Sequence, residues 1–249
     1  ISGSYWRANR ENQPLQRITG TAFATPKELR LYEKRVEEAQ KYDHRKLGKQ
    51  LDLFSVHEEG PGFQFLHAKG QKVIQILKDS LRNVLAKQQY HEIATPIMLS
   101  DDLWKQSGHY EHYKDNMFFS DIEKKSYAIK PMNCPGAILV YKERPRSYRE
   151  LPLRLSEFGL VHRYELSGVL HGLFRVRSFT QDDGHIFCTY DQIADEVYET
   201  ILTIQKMLKK FGFEDITIGL STKPENAMGY DDYWNKANEA LKKAFDRAQ

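Results

Sequence analysis

The chain lacks most of the features that would place it in a class at once. It has 249 residues and only two cysteines. That is too few for a disulfide framework, so any special role for Cys134 would be metal binding or catalysis. No apolar run approaches the ~18 residues that span a bilayer. The opening "ISGSYWRANR" has none of the apolar stretch of a signal peptide. Together these absences predict a cytoplasmic protein with no membrane partner, and the isoleucine at position 1 predicts that the natural N-terminus lies upstream. Charge of one sign is also lacking: 37 basic against 34 acidic residues give a net +3, which permits a polyanionic partner without demanding one. There is no Walker A loop, Rossmann glycine fingerprint, repeat or low-complexity tract. What is present, 40% hydrophobic and 29% charged residues, describes a globular chain able to bury a core.

The periodicities predict an ordered series of elements. "ITGTAF", residues 18–23, reads as a short strand. A helix start follows, with Thr25 as cap, Pro26 at the first position and Glu28 closing a capping box. The stripe Leu29, Tyr32, Val36 and Ala39 amid dense charge suits an exposed linker helix. A boundary is therefore placed near Gly48: residues 1–24 are the tail of something upstream, 25–47 a connecting helix and 48–249 the main domain. A second helix is predicted over 68–89, leading into a strand "HEIATPIML" whose Pro96 belongs at an edge or interface. "MFFSD", "KSYAIKP" and "LPLRLSEFGLVHRYE" read as strands, with "GAILVYKE" as a helix between them. A helix over 191–211 stopped by Gly212, a strand "ITIGLST" and a helix over 231–248 complete the order. The expected fold class is α+β, an antiparallel or mixed sheet flanked by helices.

Residues 151–187 carry the chemistry. Alternation along "HRYE" puts Arg163 and Glu165 on one strand face. After the loop "LSGVLHGLF", alternation places Arg175, Arg177, Phe179, Gln181, Asp183 and His185 on another. Such a face can be solvent-facing decoration or the wall of a pocket that grips an anionic ligand with guanidinium forks. Cys134, boxed between prolines in "PMNCPG", reads when taken alone as a small buried hydrophobe or as a ligand. Its wide separation from His185 is no local zinc signature. Cys188 lies an odd number of positions beyond His185, on the opposite strand face, and is set aside.

"FGLVHRYE", the loop and "RVRSFTQDDGHIF" resemble motif 2 of the class II aminoacyl-tRNA synthetases. "MNCPG", "SGHY" and the opening "SYWRAN…LQRITGTAF" resemble the threonyl-specific branch of that family, and the helix ending in "HEIATPIML" resembles motif 1. The resemblance implies activation of L-threonine by ATP with Mg2+, transfer to tRNA(Thr), and a homodimer. It further implies that Arg163 grips the α-phosphate, that Glu165 and Arg175 contact the nucleotide, and that His109 assists aminoacyl transfer. Cys134 and His185 would hold a zinc ion whose third protein ligand lies outside this chain, while Met132, Gln181 and Asp183 contact threonine. Residues 1–24 would be the end of an upstream editing region. The catalytic domain is expected to stop short of motif 3 and of an anticodon-binding domain. The alternative from another class is a synthetase-like module that binds RNA or a partner without aminoacylating.

Overall fold

The computed structural model of the chain describes residues 4–5, 11–12, 14–15, 20–108, 110, 113–224, 227 and 229–248. The chain divides into two compact units, Ile1–Leu51 and Asp52–Gln249. In the first, β1 (Ser4–Tyr5) pairs antiparallel with β2 (Pro14–Leu15). The strand expected at 18–23 is not formed in its described part: residues 20–23 run without a ladder partner. Helix α1 (Pro26–Lys41) starts as its sequence dictates, with the amide of Glu28 donating to Thr25 Oγ1 at 3.3 Å and that of Thr25 donating to Glu28 Oε2 at 3.1 Å. No residue of α1 is buried, and a short α2 (His44–Gln50) capped by Asp43 follows.

The second unit holds the sheets. A hairpin of β3 (Phe54–Val56) and β4 (Gln64–Leu66) precedes α3 (Ala68–Lys87). Strand β5 (Tyr90–Glu92) runs parallel to β9 (Leu153–His162), which pairs antiparallel with β10 (Ser178–Phe187). A separate antiparallel sheet has the order β6 (Met98–Ser100), β8 (Lys125–Ile129), β7 (Phe118–Ile122). Helices α4 (Asp101–Gln106), α5 (Cys134–Lys142), α6 (Ile193–Lys210) and α7 (Asp231–Ala248) complete a unit of the α+β kind.

Three further expectations need correction. "HEIATPIML" is not one strand but β5 and β6, which belong to different sheets. Pro96 has no N–H for a ladder, and the N–H and Oγ of Thr95 are spent on Glu157. The strand of "HRYE" ends at His162, so Arg163, Tyr164 and Glu165 lie in the turn beyond it. "ITIGLST" forms no strand.

At the centre of β9 the chain buries a carboxylate, Glu157, and faces it with a buried ammonium, Lys130, at 2.9 Å. Charges out of water persist only when paired and fully hydrogen-bonded, and these are. Lys130 Nζ also donates to Thr95 O at 3.3 Å and Thr95 Oγ1 at 2.8 Å. Glu157 accepts from Thr95 N at 2.8 Å and from Thr95 Oγ1 at 3.0 Å. The cluster ties the β5–β6 connection, the end of β8 and the middle of β9 together. It also seats the start of α5, because a Cβ on Gly136 would fall 2.9 Å from the side chain of Thr95. Glu157→Ala strands the buried Lys130 charge, and a loss of about 3–5 kcal/mol is expected. Urea denaturation monitored by circular dichroism measures it; a loss below about 1 kcal/mol would show that the pair is not what holds these segments.

Candidate functional site

Alternation along β10 puts Phe179, Gln181, Asp183 and His185 on its half-buried face and Thr180, Asp182 and Gly184 on the exposed one. The first turn of α5 faces those side chains. Cys134 Sγ, an Asp183 carboxylate oxygen and a His185 ring nitrogen all lie within 4.8 Å of one another, each residue half-buried. Cys188 is not in this group. The structure thus brings the two sequence-predicted ligands together and adds Asp183, which the resemblance assigns to threonine. Sulfur, imidazole nitrogen and carboxylate oxygen are the donors zinc takes in proteins. Burial, and then the Asp183 charge, push the Cys134 thiol above its ordinary pKa of 9.0. A divalent cation reverses that pressure, because it favours the thiolate and neutralises the carboxylate beside it. The donor set therefore fits a cation.

Asn133, immediately before Cys134, is fully buried, and its Nδ2 donates to Asp183 Oδ2 at 3.0 Å and Gln181 Oε1 at 3.4 Å. Sequence reasoning missed it; the only signal was an asparagine at a helix start. Met132 is half-buried and packs against the cluster of Trp104, Met117 and Ala128. His109 lies outside the described residues.

The arginines converge by loops rather than by strand alternation. Arg163, Glu165, Leu173, Phe174, Arg175, Val176 and Phe179 line a cavity of about 240 Å³. The guanidinium of Arg163 stands 5.1 Å from the Phe179 ring centroid and 5.9 Å from that of Tyr113. Its Nε donates to the carbonyl of Pro131 at 3.3 Å, so the "PMNCPG" backbone holds the arginine. Arg175 pairs with Glu165 at 2.9 Å. Arg177 is not part of the cavity. Its Nε donates to Glu165 O at 2.9 Å, and its other nitrogens donate to Pro61 O and Ser167 Oγ. That spends the fork on its own loop and on the β3–β4 turn, so Arg177 braces the two turns against each other.

Residues 113–245 match the family model described as tRNA synthetase class II core domain (G, H, P, S and T). The chain is 57% identical over 246 residues to a threonine–tRNA ligase of Clostridium botulinum (strain Okra / Type B1), covering 99% of this chain and 39% of that protein. It therefore spans well under two thirds of the length of the curated relatives it matches. Among solved structures it is similar to the RNA binding domain of threonyl-tRNA synthetase from Cryptosporidium parvum Iowa II. The TM-score is 0.78 at 44% identity, over 82% of this chain and 51% of that one. It is also similar to the threonyl-tRNA synthetase ThrRS-1 of Aeropyrum pernix, with TM-score 0.71 at 33% identity, over 80% of this chain and 49% of that one. No helix among the described residues is long and apolar enough to cross a membrane.

His162, the last residue of β9, sits beside Phe63, and burial pushes its pKa below the ordinary 6.5. A histidine held neutral in the fold but free to protonate when unfolded contributes its stability fully above pH ~6.5 and loses it as pH falls through the lowered folded value. Wild type is therefore expected to lose more denaturation midpoint between pH 7.5 and 5.5 than His162→Gln, which cannot titrate. Parallel losses would show that the imidazole is not held neutral.

Proposed function

The chain belongs to the class II tRNA synthetase core family, and from that premise we propose that the whole protein is a threonine–tRNA ligase, using ATP with Mg2+, L-threonine and tRNA(Thr) in the cytoplasm. The observation that carries the reading is the continuity of the half-buried face of β10. Phe179 lines the arginine cavity, and Gln181, Asp183 and His185 continue the same face to Cys134. A nucleotide and an amino acid bound there would meet end to end. A binding module without catalysis would need only one of these two subsites.

In this reading Arg163 places its charge beside the α-phosphate, where negative charge grows as the threonine carboxylate attacks in line. Electrostatic positioning supplies the acceleration, with no covalent chemistry from the protein. The Pro131 carbonyl and the Phe179 ring orient the guanidinium before the nucleotide arrives. The Arg175–Glu165 pair must open or shift for Glu165 to reach the adenine amino group and for Arg175 to contact the nucleotide. Cys134 and His185 would hold zinc, with the third protein ligand expected from a part of the protein beyond this chain. When bound, the zinc supplies a Lewis-acid seat for the amino and hydroxyl groups of threonine. Asp183 accepts from that hydroxyl, Gln181 meets the polar end of the substrate, and Met132 packs its apolar side. Valine has the shape but not the hydroxyl, and a site built around that group rejects it more strongly than apolar contacts could. His109 retains its proposed role in aminoacyl transfer.

The domain reading is proposed on the same footing: residues 1–24 as the end of an editing region, 25–47 as a linker and 48–249 as part of the catalytic domain. A homodimer through the motif 1 helix is likewise proposed, supported by the exposed apolar Val73 and Ile76 of α3 and Ile97 and Met98 beyond it.

Two measurements on the full-length protein test the reading. Arg163→Ala is expected to lower threonine-dependent ATP–pyrophosphate exchange roughly a hundredfold, the scale of removing one transition-state charge clamp. Cys134→Ser is expected to lower both bound zinc and exchange while sparing ATP affinity, because the metal meets the amino acid. An unchanged rate in the first, or a zinc-free and fully active enzyme, would sink the assignment. Separately, sedimentation at micromolar concentration is expected to give a dimer; a monomer removes that claim.

A further inference from the structure

Asn133 occupies a helix N-cap, a place where asparagine ordinarily accepts from the helix's own amides. Its side chain makes no such bond. It is fully buried, it donates Nδ2 to Asp183 Oδ2 and Gln181 Oε1, and its Oδ1 is buried with no partner among the described residues. Turning the amide over would aim an oxygen at two acceptor oxygens, so the orientation is set by its neighbours. The room for it comes from β9. Gly159 stands directly opposite Gln181 in the β9–β10 register. A Cβ there would fall 2.1 Å from Asn133 Oδ1 and 2.4 Å from both Cγ and Nδ2. The amide of Asn133 thus takes the cross-strand place that Gly159 leaves empty.

We propose that Asn133, seated against Gly159, is a positioning residue that sets the polarity of the amino-acid pocket. This rests on the reading of the site given above. An amide holds one oxygen and one nitrogen. With Gln181 Oε1 accepting from Asn133, the Nε2 end of Gln181 is the end left for the ligand, so the glutamine serves as a donor to the threonine carboxylate. With Asp183 Oδ2 also engaged, its other oxygen is the acceptor left for the substrate hydroxyl. Without Asn133 both side chains are free to rotate, and a pocket that should donate at one point and accept at another loses that distinction.

The test is a double-mutant cycle in the full-length, zinc-loaded protein: Asn133→Ala, Gly159→Ala and the two together. Threonine affinity is read by calorimetry, the KM values for threonine and ATP by pyrophosphate exchange, and zinc by metal analysis. Each single variant is expected to weaken threonine binding about tenfold or more, the scale of hydrogen bonds to a charged group. The KM for ATP and the zinc content are expected to hold within twofold. If Gly159 matters only by seating Asn133, Gly159→Ala adds nothing in the Asn133→Ala background. The proposal is overturned if Asn133→Ala leaves threonine affinity unchanged. It is also overturned if Gly159→Ala is equally harmful with and without Asn133, or if both substrates weaken together. Should Asn133→Ala fail to fold, Gly159→Ala alone decides, by whether threonine affinity falls while the KM for ATP and zinc hold. A wild-type protein that does not activate threonine refutes the functional reading and this inference with it. An active wild type with an indifferent Asn133 refutes only the inference.

Discussion

A carboxylate at the middle of a central strand has to be answered by a charge, and the site is built around that answer. Glu157, Lys130 and Thr95 satisfy one another in the interior and join three segments that no common strand ladder connects. Lys130 is followed at once by Pro131, Met132, Asn133 and Cys134. Its backbone is pinned on both sides, with its N–H donating to Ile97 O at 2.8 Å and its carbonyl accepting from His162 N at 3.0 Å. The position of "PMNCPG" relative to β9, and so to β10, follows from the buried pair. A hydrophobic pair of similar volume can match the stability of such a pair, but it would not carry the hydrogen bonds through Thr95.

The same short segment serves both halves of the site. The Pro131 carbonyl holds Arg163, and three residues later Cys134 joins His185 and Asp183. Because β10 carries Phe179 at one end of this face and His185 at the other, the two subsites share one strand and one facing turn. The Glu165 carboxylate is engaged by Arg175, and the side chain of Arg175 is more than half exposed. The Glu165 side chain is only 15% exposed, so the pair opens to solvent from its arginine end. Arg177, donating to the carbonyls of Glu165 and Pro61, ties this loop to the β3–β4 turn.

The buried Oδ1 of Asn133 is a feature that stability alone would not retain. An orphaned carbonyl of this sort costs about 1–3 kcal/mol. Its amide spends its donors on Asp183 and Gln181, which share the half-buried face of β10 with His185. Gly159, a glycine inside a strand, is a second local cost at the same spot. Strained or unsatisfied groups gather where function needs a fixed orientation, and here the two concessions meet at one contact.

Local chemistry was legible in the sequence: the Thr25–Glu28 capping box, the helices α3, α6 and α7 to within a turn, and the alternation of Gln181, Asp183 and His185 all follow from short-range periodicity. The motif likeness also named Arg163, Cys134 and His185. Where β9 stops was not legible, because alternation continues through "HRYE" while the backbone N–H of Tyr164 leaves the β10 side and donates to Asn116. Nor was the breaking of "HEIATPIML" into two sheets, which depends on Thr95 finding Glu157 far along the chain. The approach of Asp183 to Cys134 and His185, the tie from Arg177 to Pro61 and the seating of Asn133 over Gly159 were likewise decided by tertiary structure. Each is a pairing between residues distant in sequence, and periodicity reports only which way a side chain faces, not what the fold brings opposite it.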